Sequence, residues 1–525
     1  MRAIQAESNS FLRSVLILLL LATSIALFFW LKGEPRIFRV ANPSNVNLMI
    51  VLSAMGLGIS GKQTPPAMRI LLGYITGSLT LYLITGYKLH DLAVGHPVAD
   101  QLWIAVICAF LSYWRPTLSL IPIIAVMWTK ILTRKDFGLS ITSTDYMVVV
   151  ELGVLLCLFL IPASLFQIFA TLWRSRRDQL CNFSHSYLNA AILVGAAVHL
   201  SNYFYSGHQK LVLENAGLLT WVLENPTYIL TAASIDFDYL TIFEIPGMPD
   251  WILAAIKWIT IPLNAIVLAS QLLVVVALFS RRFIIGITIF FDVIHLAIFG
   301  LTAIFFWKWI MLNLGIVHAF SMLRRENWQP PLWLSIAALC VLLGAPWVFQ
   351  VARLGWFDSG GVNYAHWQAQ TKDGARVEVP TNFFLDASVT FAQQRPGRPF
   401  TGFFPTHDWG TTMDARIMHR FSEACEPEHL PKPAMDPTQL EVLASFIRRH
   451  HTRVVSRAGG KGNIAYDWYP HHIWSSPFAY ETFQNLDLSQ ITSYILIVEA
   501  NCLKVDYTGA IEKRTLAREE INFPL

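Results

Sequence analysis

The chain has 525 residues, of which 54% are hydrophobic and only 14% charged, and its mean hydropathy is +0.46. This composition excludes an ordinary soluble protein and is typical of a polytopic membrane protein, so the lipid bilayer is its expected partner. A net charge of +4 is too small to indicate a nucleic-acid-binding protein.

Apolar segments that fit a membrane span recur along the chain up to residue 351. The first, residues 15–31, follows Arg2 and Arg13. We interpret it as a retained anchor, because residues 32–35 offer no small-residue cleavage site. The later segments are 46–59, 68–87, 101–113, 118–132, 146–173, 187–205, 251–279, 283–306, 307–322 and 332–351. At about 20 residues per span, they predict about nine to eleven membrane helices.

Basic residues between the later segments predict the orientation of the chain. They cluster at 174–177, 281–282 and 324–325. Membrane proteins keep such loops in the cytoplasm, so the loop 206–250 and everything after Val351 are expected outside. We expect an integral protein of a bacterial inner membrane with a periplasmic C-terminal domain.

The pattern divides the chain into three parts. Residues 1–145 are predicted to form N-terminal membrane helices, and 146–351 a membrane core with the external loop 206–250. Residues 352–525 are predicted to form a β-rich soluble domain. Within it, Asp373-Gly374 between two short apolar runs predicts a hairpin, 490–499 a strand and 437–451 a helix. Cys425 and Cys502 both fall in this domain, where they either pair or stay free.

Lys210 is the first candidate for chemistry, because it follows the apolar segment 187–205 so closely. An ammonium near a bilayer boundary is costly unless it snorkels, pairs or loses its proton. A lysine whose pKa falls on burial can act as a base, whereas a snorkelling lysine is only an anchor. Ser206 and Gly207 leave room beside it for a ligand or for a close helix.

Asp292 and His295 form the second candidate, spaced three residues apart inside an apolar segment. Residues at this spacing share one face of a helix, where a carboxylate can orient and charge an imidazole. The alternative is a polar pair that joins helices. Glu151 is interpreted as an interfacial or helix-pairing acid and His199 as a hydrogen-bonding residue. The histidines and the six cysteines show no metal-binding spacing.

Residues 203–211 read Tyr-Phe-Tyr-Ser-Gly-His-Gln-Lys-Leu. This run resembles the signature Tyr-Phe-x-(Ala/Ser)-Gly-x-x-Lys-Leu of the vitamin K-dependent γ-carboxylase-like superfamily, also called horizontally transferred transmembrane (HTTM) proteins. The later helix with an internal histidine, His295, and the β-rich external domain are similar to that family as well. The resemblance covers the chain from Tyr146 onward. Gln209 stands where the family has a second lysine, and the tryptophan expected after the signature is displaced to Trp221.

The resemblance implies a carboxylase-like membrane enzyme in which Lys210 deprotonates a quinol of the vitamin K type. In the eukaryotic carboxylase, oxygenation of that quinol gives a strong base that removes a γ-proton from a glutamate, and carbon dioxide then adds. The alternative is a non-catalytic membrane subunit that retains the fold and holds partners in a larger membrane complex.

Overall fold

The computed structural model describes residues 2–32, 64–86, 102–127, 147–237, 248–325, 327–380, 383–384, 410–425, 437–458 and 480–525. The helices of the N-terminal two thirds are α1 (Arg2–Lys32), α2 (Pro66–Gly86), α3 (Leu102–Leu111), α4 (Pro116–Met127), α5 (Met147–Leu172), α6 (Arg177–Leu211), α7 (Thr220–Glu224), α8 (Tyr228–Asp236), α9 (Met248–Ala277), α10 (Arg281–Thr302), α11 (Trp307–Arg325) and α12 (Leu332–Val348).

Four of these helices are long and apolar enough to cross a membrane: α1, α5, α9 and α10. The other helices are shorter or more polar. The prediction of a membrane protein is confirmed at this level, while the count of nine to eleven helices stays a prediction. The predicted segment 46–59 lies outside the described residues. The segment 118–132 is described only as far as Met127, within α4.

Helices α5 and α6 form the centre of the bundle. Nearly every residue from Met147 to Leu160 is buried, as is the run from Tyr187 to Tyr203. Over these lengths both helices are therefore surrounded by other parts of the protein. Helices α1, α9 and α12 pack around this pair, and α2, α10 and α11 complete the bundle.

Contacts at the two ends of α1 establish which helix ends lie together. Arg13 donates to the Asn182 carbonyl at 3.0 Å, close to the basic turn at 174–177. At the other end, Lys32 forms an ion pair with Glu151 at 2.8 Å. The start of α5 therefore lies at the end of the bundle opposite the basic turn.

The C-terminal region contains α13 (Ala415–Glu423), α14 (Pro437–Ala458), α15 (Glu481–Gln484) and a four-stranded antiparallel sheet. Its strands are β1 (Gly361–Thr371), β2 (Arg376–Val379), β3 (Ile491–Val505) and β4 (Ile511–Pro524), in the order β2-β1-β3-β4. The hairpin predicted at Asp373-Gly374 is present, and Gly374 takes the positive φ of +85° that its turn requires. Cys425 and Cys502 form a disulfide that joins the end of α13 to β3.

The sheet is attached to the bundle through α8, one of two short helices in the predicted external loop. The rings of Phe237 and Tyr364 stack with centroids 3.7 Å apart. Lys513 pairs with Asp236 at 2.9 Å, and Lys257 on α9 donates to the Val505 carbonyl at 2.6 Å. The C-terminal region is thus packed directly against one end of the membrane bundle.

Candidate functional site

The segment 349–358, here called the connecting segment, joins α12 to the sheet without forming a helix or strand over most of its length. Buried backbone groups require hydrogen-bond partners, and an extended chain supplies none of its own. Side chains of α6 supply several of them. The Ala352 amide donates to Asn202 Oδ1 at 2.7 Å, and the Leu354 amide to Ser206 Oγ at 3.1 Å.

The match follows from the geometry of the two elements. Asn202, Ser206 and Lys210 are each four residues apart, so they share one face of α6. Four residues of helix rise about 6 Å, and two residues of extended chain cover about 6.6 Å. Ala352 and Leu354, two residues apart, therefore meet Asn202 and Ser206, four residues apart, while Lys210 donates to the Leu354 carbonyl. Gln209 is adjacent on the same surface, and its Oε1 accepts from the Gly355 amide at 3.2 Å. We call Asn202, Ser206, Gln209 and Lys210 the polar row.

Partners outside α6 hold the two ends of the connecting segment. The Gln350 amide donates to Glu151 Oε2 at 2.6 Å. The Glu151 carboxylate therefore accepts a backbone hydrogen bond in addition to its ion pair with Lys32. At the other end, Trp221 Nε1 donates to the Trp356 carbonyl at 2.8 Å. The interpretation of Glu151 as a helix-pairing acid is confirmed by its ion pair between α1 and α5.

Lys210 is buried, with 6% of its surface exposed. Its ammonium donates to the Leu354 carbonyl at 2.7 Å and, at 3.2 Å each, to the Ser206 carbonyl and Gln271 Oε1. It also lies 4.9 Å from the centroid of the Trp221 ring. Three acceptors match the three N–H groups of a protonated lysine, whereas burial opposes the charge. Among the described residues, no carboxylate forms an ion pair with Lys210. Glu224 pairs instead with His419.

Two glycines allow the close packing around Lys210. A Cβ at Gly207 would lie 2.9 Å from Gln271 Cβ, so Gly207 lets α9 approach α6. A Cβ at Gly355 would lie 2.6 Å from Gln209 Cβ and 2.9 Å from the Gln209 carbonyl carbon. The space predicted beside Lys210 is therefore occupied by a close helix and by the connecting segment.

Asp358 is the last residue of the connecting segment. It is buried, with 4% of its surface exposed. Asn225 Nδ2 donates to Asp358 Oδ2 at 3.0 Å, and Asn225 Oδ1 accepts from the Asp358 amide at 2.7 Å. Burial raises the pKa of Asp358 from 3.8 to about 7, while the Asn225 bond and the Lys210 charge oppose the shift. Between about pH 4 and about pH 7 the unfolded chain has released this proton, while the folded protein still holds it. The free energy of unfolding therefore falls as the pH rises from about 4 to about 7.

A second polar cluster lies deeper in the bundle, around Asn313 of α11. Asn313 Nδ2 donates to Asp292 Oδ1 at 2.7 Å and to the Tyr203 hydroxyl at 2.9 Å. Asn313 Oδ1 lies 2.6 Å from His199 Nε2. Because an amide oxygen only accepts, His199 Nε2 carries the hydrogen, and Nδ1 of the neutral ring is left as an acceptor. Asn313 thus joins α6, α10 and α11.

The pairing predicted between Asp292 and His295 is not formed. Both side chains are buried on α10, but Asp292 bonds to Asn313, and His295 Nδ1 has no partner among the described residues. The sequence interval put both on one face correctly. The interval did not indicate that an asparagine on the next helix would donate a hydrogen bond to the Asp292 carboxylate. His295 lies instead against rings, with centroids 5.3 Å from Phe306 and 5.9 Å from Tyr203.

Sequence reasoning singled out Lys210 but missed the rest of the polar row. The signal was present, because Asn202 and Ser206 precede Lys210 at four-residue intervals in an otherwise apolar segment. Asn313 and Asp358 carried no comparable signal, since their importance depends on long-range contacts.

Comparisons of the chain with protein-family models, with curated proteins and with solved structures found no match.

Asn313→Leu is expected to destabilise the bundle strongly, because it leaves Asp292, Tyr203 and His199 without their shared partner. Each unsatisfied buried group costs about 1–3 kcal/mol. Asp292→Asn is the matched control, since its amide oxygen can still accept from Asn313. Thermal unfolding in detergent should show a much larger loss for Asn313→Leu, and equal losses would contradict the assignment of Asn313 as the joining residue.

Gly355→Ala is expected to push the connecting segment away from Gln209 and to cost about 1–3 kcal/mol of stability. Gly344→Ala is the control, because the nearest atoms to its Cβ would be at 3.7 Å, an ordinary contact. The measurement is the thermal unfolding midpoint of both variants. A Gly355→Ala protein as stable as Gly344→Ala would show that the segment is not held closely against α6.

Proposed function

We propose that the chain is a membrane enzyme that acts on a lipid-soluble quinol of the vitamin K type, with Lys210 as the base. The resemblance at residues 203–211 motivates the substrate class and a carboxylase-like reaction. The observation that carries the proposal is a buried lysine, close to an apolar helix segment, that has no carboxylate in ion-pair contact among the described residues. Such a lysine can release its proton more readily than one held by an acid.

The hydrogen bonds of Lys210 indicate how the base becomes available. A neutral amine keeps two N–H groups and gains a lone pair, so one of the three acceptors must be replaced by a donor. The Ser206 carbonyl belongs to α6 itself and Gln271 to the adjacent α9, whereas Leu354 lies on the connecting segment with 38% of its surface exposed. The proposed substrate hydroxyl replaces the Leu354 carbonyl and gives its proton to the lysine.

Asp292 and His295 have a separate proposed role. Tyr203, which belongs to their cluster, precedes Lys210 by seven residues of α6, or about 10 Å along the helix. At that distance Asp292 and His295 do not contact the substrate hydroxyl that Lys210 is proposed to deprotonate. They are proposed to act through the helices that carry the lysine, by fixing α10 and α11 against α6.

The second candidate function is a non-catalytic subunit of a membrane complex. It is favoured by one observation, that Lys210 already has three acceptors and a tryptophan ring around it. In this case Lys210 only fastens the connecting segment to α6. The two candidates differ in whether the lysine must give up its proton.

Lys210→Arg separates them, because arginine keeps its proton near neutral pH but still donates hydrogen bonds. For a base, both Lys210→Arg and Lys210→Met should lose quinol turnover by a factor of about 100 or more while the protein stays folded. The measurement is oxygen-dependent consumption of a reduced naphthoquinone by the purified protein in lipid. Turnover by Lys210→Arg at the rate of the unchanged protein would refute the catalytic role.

Lys257→Met is the matched control for these variants. Lys257 also donates to backbone carbonyls and lies 5.4 Å from the centroid of an aromatic ring, that of Tyr228. It lies on α9 beside β3 and does not contact the polar row. Loss of turnover in Lys257→Met as large as in Lys210→Met would mean that general loosening, and not loss of a base, explains the effect.

The proposed setting is a bacterial inner membrane with the sheet domain on the periplasmic side. A cysteine at Asp373, in the exposed hairpin, should react with an impermeant thiol reagent in intact spheroplasts. A cysteine at Ser175, in the exposed basic turn, should react only after lysis. The reverse pattern would invert the proposed orientation.

A further inference from the structure

We propose that Asp358 is the positioning residue that controls the charge of Lys210, so that each of these two buried side chains is charged more easily while the other is charged. This inference deepens the proposed role of Lys210 as a base and adds a residue that neither the signature nor the resemblance contains.

Lys210 and Asp358 are both positioned by the connecting segment. Lys210 donates to the Leu354 carbonyl and lies over the Trp221 ring, and Trp221 Nε1 donates to the Trp356 carbonyl. Asp358 follows two residues later on the same connecting segment. Lys210 is therefore hydrogen-bonded to the same short segment of backbone that carries Asp358. Each is more than nine-tenths buried.

Neither charge is neutralised by contact. Asp358 Oδ2 accepts from Asn225, a neutral amide, and no cation forms an ion pair with the Asp358 carboxyl among the described residues. Lys210 has only neutral oxygens around it. A buried charge without a partner is costly, and an opposite charge nearby lowers that cost. Each group therefore favours the charged form of the other.

Hydrogen bonds hold the Asp358 side chain in place. Asn225 is held in turn by Asn264 of α9, whose Nδ2 donates to the Asn225 carbonyl at 3.0 Å. Thr227 Oγ1 accepts from Asn225 Nδ2 at 2.8 Å. Asn225 is hydrogen-bonded to both the amide and the carboxyl of Asp358. The carboxyl therefore has little freedom to move toward water.

Other charged groups of the surrounding elements are exposed or already paired. Asp414 is paired with Arg416 at 2.9 Å. The exposed titratable residues on the last turn of α6, on the connecting segment and on the neighbouring residues 212–224 and 410–419 are His208, Glu214, Glu224, Arg353, Arg416 and His419. Solvent screens exposed charges far more than buried ones. Lys210 is thus the buried cation that the Asp358 carboxyl responds to.

The experiment is infrared difference spectroscopy of the full-length protein in lipid, recorded against pH. The carbonyl stretch of a protonated carboxyl that disappears in Asp358→Asn belongs to Asp358. Since burial raises the pKa of Asp358 to about 7, this band should titrate with a midpoint near that value. Lys210→Met removes the nearby positive charge and should move the midpoint upward by about one pH unit. Lys210→Arg keeps the charge and should leave the midpoint near that of the unchanged protein.

Asp414→Asn is the control, because its hydrogen bond with Arg416 lowers the pKa of Asp414 and the protonated band should be unaffected. Lys210→Gln replaces Lys210→Met if the latter does not fold. An unchanged midpoint in either neutral variant would overturn the coupling, as would a band that Asp358→Asn does not remove. Failure of the proposed enzyme function appears separately, as full turnover by Lys210→Arg, and leaves the infrared result in place.

Discussion

The hydrogen bonds between the polar row of α6 and the connecting segment determine most of what lies at this end of the bundle. An extended chain that leaves a membrane helix cannot bond to itself, so each buried amide and carbonyl must find a side chain. Asn202, Ser206, Gln209 and Lys210 provide four such side chains along one helix surface. As a result, the segment follows α6 closely, covers Lys210 and brings Asp358 into the interior.

A second constraint acts deeper, where Asn313 is bonded to residues on α6 and α10. The two polar sites share α6 but do not share bonds. Asn313 fixes the arrangement of the helices, while the polar row fixes the exit of the chain toward the sheet. This division explains why Asp292, which is bonded to Asn313, and Asp358, which lies on the connecting segment, have different surroundings and different proposed roles.

Much of the architecture could be predicted from local sequence. The apolar segments, the Asp373-Gly374 hairpin and the strand now seen as β3 depend on periodicity and turn residues, which short windows of sequence contain. The site was predicted only in part. Lys210 was found because a lysine in that position is costly, but its acceptors, Leu354 and Gln271, lie 144 and 61 residues away in the chain. The Asp292–His295 pairing was wrong for the same reason, since Asn313 lies 21 residues further on.

The most direct test of the account is amide hydrogen exchange across the connecting segment in the full-length protein in lipid. Backbone amides outside helices and strands normally exchange quickly, because water reaches them. Slow exchange is expected at Ala352, Leu354, Gly355 and Asp358, whose amides donate to side chains of Asn202, Ser206, Gln209 and Asn225. Exchange at these four amides as fast as at Asp373, in the exposed hairpin turn, would contradict this arrangement, because neither Lys210 nor Asp358 would then be held in place.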